Sequence, residues 1–146
     1  MHIIRSHEQD SAAMVGRAAR ALLLTAEGPA GIMERRLAAL GARVDIVGEL
    51  FVALSELIDD PSGYAVFVVD CDSANVGGLA AAQHVIKMLG EVAQRVSVVL
   101  VSSECHEQRF PQERTAPVVL RAPLSAVSLK VGFEHALRER FQYQAA

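Results

Sequence analysis

The apolar positions of this chain fall into short continuous runs separated by amphipathic segments. Ala21-Leu22-Leu23-Leu24 reads as a buried strand, and Gly28-Pro29 after it is a break that starts a helix. Met33, Leu37 and Leu40 recur at helical spacing, with Glu34, Arg35 and Arg36 toward solvent, until Gly41 stops the segment. Arg43-Val44-Asp45-Ile46-Val47 alternates polar and apolar, as in a strand at or near a sheet edge. From Glu49, the residues Leu50, Leu54, Leu57 and Ile58 share one helical face, and Asp59-Asp60-Pro61-Ser62-Gly63 is a loop. The run Tyr64-Ala65-Val66-Phe67-Val68-Val69 closes on Asp70, and a helix through Leu79, Ala82, Ile86 and Leu89 ends at Gly90. Val96-Ser97-Val98-Val99-Leu100-Val101 is a fourth strand and Pro117-Val118-Val119-Leu120 a short fifth. Ser125 to about Phe141 forms a long last helix, with Leu129, Phe133, Ala136, Leu137 and Phe141 inward.

Near-continuously apolar strands alternating with helices predict a parallel sheet covered on both faces. Right-handed crossovers restrict it to a few topologies, and the leading one is α/β, a flavodoxin-like doubly wound five-stranded sheet of order 2-1-3-4-5. Between the fourth and fifth strands, the segment Glu104 to Thr115 has no apolar stripe and contains Pro111. The fourth helix of the alternation is therefore expected to be short, irregular or missing. Residues 1–19 read as an N-terminal extension with a weak helical stretch at Ala12-Ala13-Met14-Val15, and residues 20–142 as one domain.

Composition narrows the function classes. A chain of 146 residues that is 51% hydrophobic, with mean hydropathy +0.26, buries a real core and is not disordered. No apolar run approaches the ~20 residues that span a bilayer, and the N-terminus lacks a secretory core, so a cytoplasmic location is expected. Net charge −3 and a pI near 5.9 argue against direct nucleic-acid binding, and the Arg17, Arg20, Arg35, Arg36 group is interrupted by Glu34. Two cysteines, Cys71 and Cys105, fit a reducing compartment.

Asp70 stands where open parallel sheets bind ligands, at the C-terminal end of a central strand. Gly78-Leu79 follow eight residues later, the fourth strand runs into Ser102-Ser103, and the fifth into Ala122-Pro123-Leu124-Ser125. In order and spacing these residues resemble the receiver domain of two-component response regulators, over residues 20–141. The resemblance implies that Asp70 is phosphoacceptor-like and that Ser102 and Ser103 stand at the phosphate site.

The departures are informative. Receivers carry an acidic pair for Mg²⁺ after the first strand, and this chain has Thr25 and Ala26 there, then Glu27. The Lys that pairs with the phosphoryl oxygens aligns with Ala122; the neighbouring Arg121 is directed to the other face by strand alternation. The switch aromatic aligns with Val119, and the Pro after the acceptor with Ala74. Phosphoryl transfer depends on positioning and charge neutralisation, so such losses cost orders of magnitude. The expectation is a degenerate, stand-alone pseudo-receiver: not an enzyme, without cofactor, signalling by contact with another protein.

Rival readings differ in chemistry. Glu27, Asp70 and Asp72 could gather Mg²⁺ in a working but atypical receiver. Alternatively Cys71 or Cys105, the latter beside His106, would be the nucleophile of a small α/β enzyme, which requires a lowered thiol pKa. Asp70 could equally be a loop-capping acid, and Ser102 and Ser103 turn formers. His84 and His135 read as surface or half-buried helix residues, and the pair Arg35-Arg36 as an ordinary solvated helix face. Val127 and Val131 give the last helix a second apolar stripe, suited to a partner or to a homodimer unless the N-terminal extension covers it.

Overall fold

The computed structural model describes residues 19–60, 62–90, 95–113 and 116–145, with side chains of the last helix described to residue 138. The strands β1 (Arg20–Leu24), β2 (Arg43–Val47), β3 (Val66–Asp70), β4 (Ser97–Ser102) and β5 (Val118–Arg121) form one parallel sheet in the order β2-β1-β3-β4-β5. Helices α1 (Ile32–Ala39), α2 (Leu50–Asp59) and α3 (Leu79–Leu89) make the crossovers, and α4 (Ala126–Ala145) follows β5. This is the doubly wound flavodoxin-like arrangement that the alternation predicts. Leu24 is level with Val47 and Val69, and Asp70 with Val101, so the C-terminal strand ends stand together along one rim of the sheet.

Alternation along the strands splits the core into two layers. Leu22, Leu24, Phe67, Val69, Val98 and Leu100 pack with α2 and α3 through Leu57, Ile86 and Leu89. Leu23, Val66, Val68, Val99, Val101 and Leu120 pack with α1 and α4 through Leu37, Leu129 and Phe133. Each such side chain contributes about 1.5–3 kcal/mol on burial, which fixes the strand register. Helix α4 lies close on β5: a Cβ at Gly132 would stand 2.9 Å from Leu120 Cδ1.

Several boundaries differ from the periodicity. Ala19, assigned to the extension, is buried and its carbonyl accepts from the Arg43 amide at 2.9 Å, so it belongs to the folded unit. Ile58 does not join Leu54 and Leu57 in the core; it lies at the margin of their face and is 57% exposed. Helix α4 continues to Ala145, beyond the predicted end near Phe141, whose side chain lies outside those described. The stretch at Ala12-Ala13-Met14-Val15 lies outside the described residues.

Between β4 and β5 no helix occurs among the described residues; the chain instead runs as a strap against β5. Arg109 pairs antiparallel with Val119, amide to carbonyl, at 2.9 and 3.0 Å. The Arg121 amide donates to Oε1 of Gln108 at 3.1 Å, and its guanidinium donates to the carbonyls of Cys105 (3.3 Å) and His106. Phe110 meets the His135 ring edge-on at 5.9 Å, and His135 Nε2 donates to the Pro111 carbonyl at 2.7 Å, which fixes the proton on Nε2. A segment without an apolar stripe has nothing to bury as a helix, so its backbone is satisfied by the sheet edge and by side chains.

Candidate functional site

β3 delivers Asp70 half-buried to the sheet's C-terminal rim, next to the loops after β1 and β4. Its Oδ2 accepts from the hydroxyl of Thr25 at 2.9 Å and from that of Ser73 at 3.1 Å. Both donors are buried, and each hydroxyl also accepts a backbone amide: Glu27 N–H on Thr25 at 3.1 Å, Ala26 N–H on Ser73 at 2.9 Å. The loop after β1 is thereby tied to the turn after β3, whose own closure is the Ser73 amide on the Asp70 carbonyl at 3.1 Å. Two neutral hydroxyl donors thus satisfy this carboxylate oxygen. Ser73 was not singled out by the sequence; its signal is the Asp-x-x-Ser spacing of a turn in which the hydroxyl returns to the acid.

The other acids are drawn to different partners. Asp72 accepts from the Ser103 amide at 3.0 and 3.1 Å through its two oxygens, and from the Ser103 hydroxyl at 3.1 Å. Glu27 folds back over Gly31, the residue that opens α1: a Cβ there would be 3.0 Å from Glu27 Oε1. Among the described residues no group of three or more His, Cys, Asp or Glu could hold a metal ion. Glu27, Asp70 and Asp72 thus do not converge.

Ser102 is fully buried, but its hydroxyl accepts from the Glu104 amide at 3.0 Å, and no hydrogen bond joins it to Asp70 among the described residues. Ser102 and Ser103 both act as loop formers. Glu104, another residue the sequence did not mark, reaches across to accept the Leu79 amide at 2.9 Å and caps α3. Gly78 has φ +103°, and a Cβ on it would be 2.6 Å from Glu104 Oε1, so glycine is required for that approach.

Ala122 offers a methyl group against the α1–α4 layer, and its amide donates to the Ser102 carbonyl at 3.0 Å. Arg121 is turned to the strap, as the alternation predicts, and is committed there. Arg36, expected to be plainly solvated, instead donates to the Leu124 carbonyl ahead of α4.

The two thiols are both free and buried. Cys71 lies near 3.7 Å from the Val69 carbonyl, and its pKa is pushed up to about 12, first by burial and then by the carboxylates of Asp72, Asp70 and Glu104. A nucleophilic cysteine needs the opposite environment. The Cys105 thiol donates to the Glu107 carbonyl at 3.3 Å inside the strap, while His106 and His84 are exposed. A scan of the sequence against protein-family models, like a search among curated proteins, finds no match.

Proposed function

We propose that this chain is a degenerate receiver: a cytoplasmic signalling module, not an enzyme, that works by binding another protein and does not depend on phosphorylation. The observation that supports this most directly is the capture of Asp70 Oδ2 by the Thr25 and Ser73 hydroxyls. A phosphoacceptor aspartate needs a metal and a cation to neutralise the incoming group. Here the corresponding positions are Thr25, Ala26 and Ala122, and the nearby Arg121 is spent on two strap carbonyls. A further support is the surface formed by β5, the strap and α4, where Val127 and Val131 are exposed on the outward side of α4. In this reading that surface receives the partner, or a second copy of the chain.

The test is incubation with acetyl phosphate, or with beryllofluoride, in the presence of Mg²⁺. The expected result is an unchanged mass and no shift of the Thr25, Asp70 or Ser102 amide resonances. A mass gain localised to Asp70, or Mg²⁺-dependent shifts centred on it, overturns the reading and favours an atypical working receiver.

A further inference from the structure

We infer that β2 is the seam of a symmetric dimer, its open edge pairing antiparallel with β2 of a second copy so that Val44 meets Val44. This inference stands apart from the reading of Asp70 and does not use it. β2 is the first strand in the sheet order, and among the described residues only β1 pairs with it. The Arg43 amide donates to the Ala19 carbonyl at 2.9 Å, and the Val47 carbonyl accepts from the Thr25 amide at 3.1 Å. Arg43, Asp45 and Val47 therefore spend their backbone groups on β1. By alternation the amides and carbonyls of Val44 and Ile46 face outward, where no other element bonds them among the described residues. An edge of that kind is a template for a further strand.

Charge decides which strand adds and in what register. Arg43 and Asp45 are exposed and point to the same face of the sheet as Leu22. Asp45 uses only Oδ2 within its own chain, accepting from Arg20 and from the Tyr64 hydroxyl, each at 2.8 Å. Its Oδ1 and the guanidinium of Arg43 carry no hydrogen bond or ion pair among the described residues. In an antiparallel pair centred on Val44, Arg43 of each copy lies directly opposite Asp45 of the other, so one two-fold axis engages both unused groups. The Val44 pair exchanges both backbone bonds, and each Ile46 amide reaches the Ala42 carbonyl of the other copy. Moving the centre to Asp45 sets carboxylate against carboxylate, which disfavours that register. The charges of Glu56 and Asp60 reach Tyr64 and Arg20, so an incoming guanidinium enters acidic surroundings. The antiparallel complement of an Arg-x-Asp strand is another Arg-x-Asp strand, and a second copy of the chain supplies it.

The experiment follows the full chain by sedimentation velocity over a concentration series. A concentration-dependent dimer is expected, weakening as salt is raised. Arg43→Asp sets acid against acid at both cross-strand positions and should weaken the dimer by roughly tenfold or more. Val44→Pro removes the outward amide at a position where an edge strand tolerates proline, and should abolish the dimer. Under mild oxidation, Val44→Cys should cross-link roughly tenfold or more faster than Ile46→Cys, because only residue 44 meets itself at the ~5.5 Å Cα separation that a disulfide spans. Cys71 and Cys105 are buried and do not compete. Retained amide dispersion shows that these exposed-site variants remain folded. The inference is overturned if the chain is monomeric at every concentration, or if Arg43→Asp leaves the dimer intact. It is overturned equally if Ile46→Cys cross-links as fast, or if Val127→Ser, on α4, dissolves the dimer instead. Val44 and Ile46 amides that resist hydrogen exchange in the monomer would also overturn it, since the chain itself would then cover the edge.

Discussion

Thr25, just past the end of β1, and Asp70, at the end of the neighbouring strand β3, share a hydrogen bond of 2.9 Å in which the threonine hydroxyl donates to Oδ2 of the acid. Since the same hydroxyl accepts the Glu27 amide, its proton has one direction left to point. Thr25→Val keeps the shape and removes both bonds. The variant should lose about 1–3 kcal/mol in urea unfolding, because Asp70 Oδ2 keeps only the Ser73 hydroxyl of its two donors and the Glu27 amide loses its acceptor. Ser73→Ala should cost a similar amount through Asp70 and the Ala26 amide.

Thr25→Asp is the opposite experiment. It sets a second carboxylate within contact of Asp70, and like charges so close repel unless a cation intervenes. The variant should be less stable than the parent without metal and should gain thermal stability as Mg²⁺ is added, whereas the parent should not respond. Thermal scans across a Mg²⁺ series decide this. A parent protein stabilised by Mg²⁺ would show that the present hydroxyl set already tolerates a cation.

Gly78 and Glu104 form a second testable couple. Gly78→Ala forces an alanine to φ +103° and drives its Cβ toward Glu104 Oε1, so a loss of about 1–3 kcal/mol is expected. Glu104→Ala removes the acceptor of the Leu79 amide and should cost about 0.5–2 kcal/mol, as loss of a helix cap does. In the double variant the clash is absent, so the two penalties should sum to more than the measured total.

Strap attachment can be read by hydrogen exchange. Arg121→Ala removes the donors to the Cys105 and His106 carbonyls, and Arg109→Pro removes the amide that pairs with the Val119 carbonyl. Both should speed exchange of the Val119 amide by tenfold or more, about 1.4 kcal/mol or greater in local opening, while amides of β1 and β3 stay protected. Uniformly faster exchange across the sheet would show instead that the strap is part of the global folding unit.

Alkaline pH should weaken the fold. Burial and the hydrogen bond to Asp45 raise the Tyr64 pKa to about 12, and burial raises that of Cys71 to about 12. Each group holds its proton more tightly folded than unfolded, so its contribution is intact below the ordinary values of about 9 for the thiol and 10 for the phenol. It is lost as pH rises from there toward 12, by an amount on the order of a few kcal/mol. Urea midpoints should stay level to about pH 8.5 and fall above it. Cys71→Ala should flatten the earlier part of that fall and Tyr64→Phe the later. Asp45 acts oppositely: Arg20 at 2.8 Å, then the Tyr64 hydroxyl, lowers its pKa, so its contribution is present above the ordinary carboxylate range and lost in acid. That pair is half exposed, and its share is small.

What the sequence made legible divides along a physical line. The strands and their order could be read because continuous apolar runs such as Val66–Val69 admit only a doubly covered sheet. The absent helix between β4 and β5 was foreshadowed by Pro111 and the missing stripe. Its replacement was not, because the Arg109–Val119 pairing is a long-range backbone contact with no local signature. The small residues Thr25, Ala26 and Ala122 near Asp70 are legible in the sequence, yet the hydroxyl pair on Asp70 needs coordinates: Ser73 looks like any turn serine until the loop after β1 is placed beside it. Ile58 misled for a simpler reason, since one residue at the margin of a helical face can fall to either side.

The strap also limits how molecules of this protein can join. A sheet grows by accepting a strand whose donors and acceptors match those left open on its border. Along β5 the outward groups of Val119 are taken by Arg109, the Arg121 amide is taken by Gln108, and Pro117 has no amide to give. Another chain could add there only after the strap is peeled away. On the far side, β2 presents Arg43 and Asp45, opposite charges that suit a second copy in one register and discourage other strands. Assembly of this fold, whether useful or pathological, is thereby diverted from β5 to β2 and the helices.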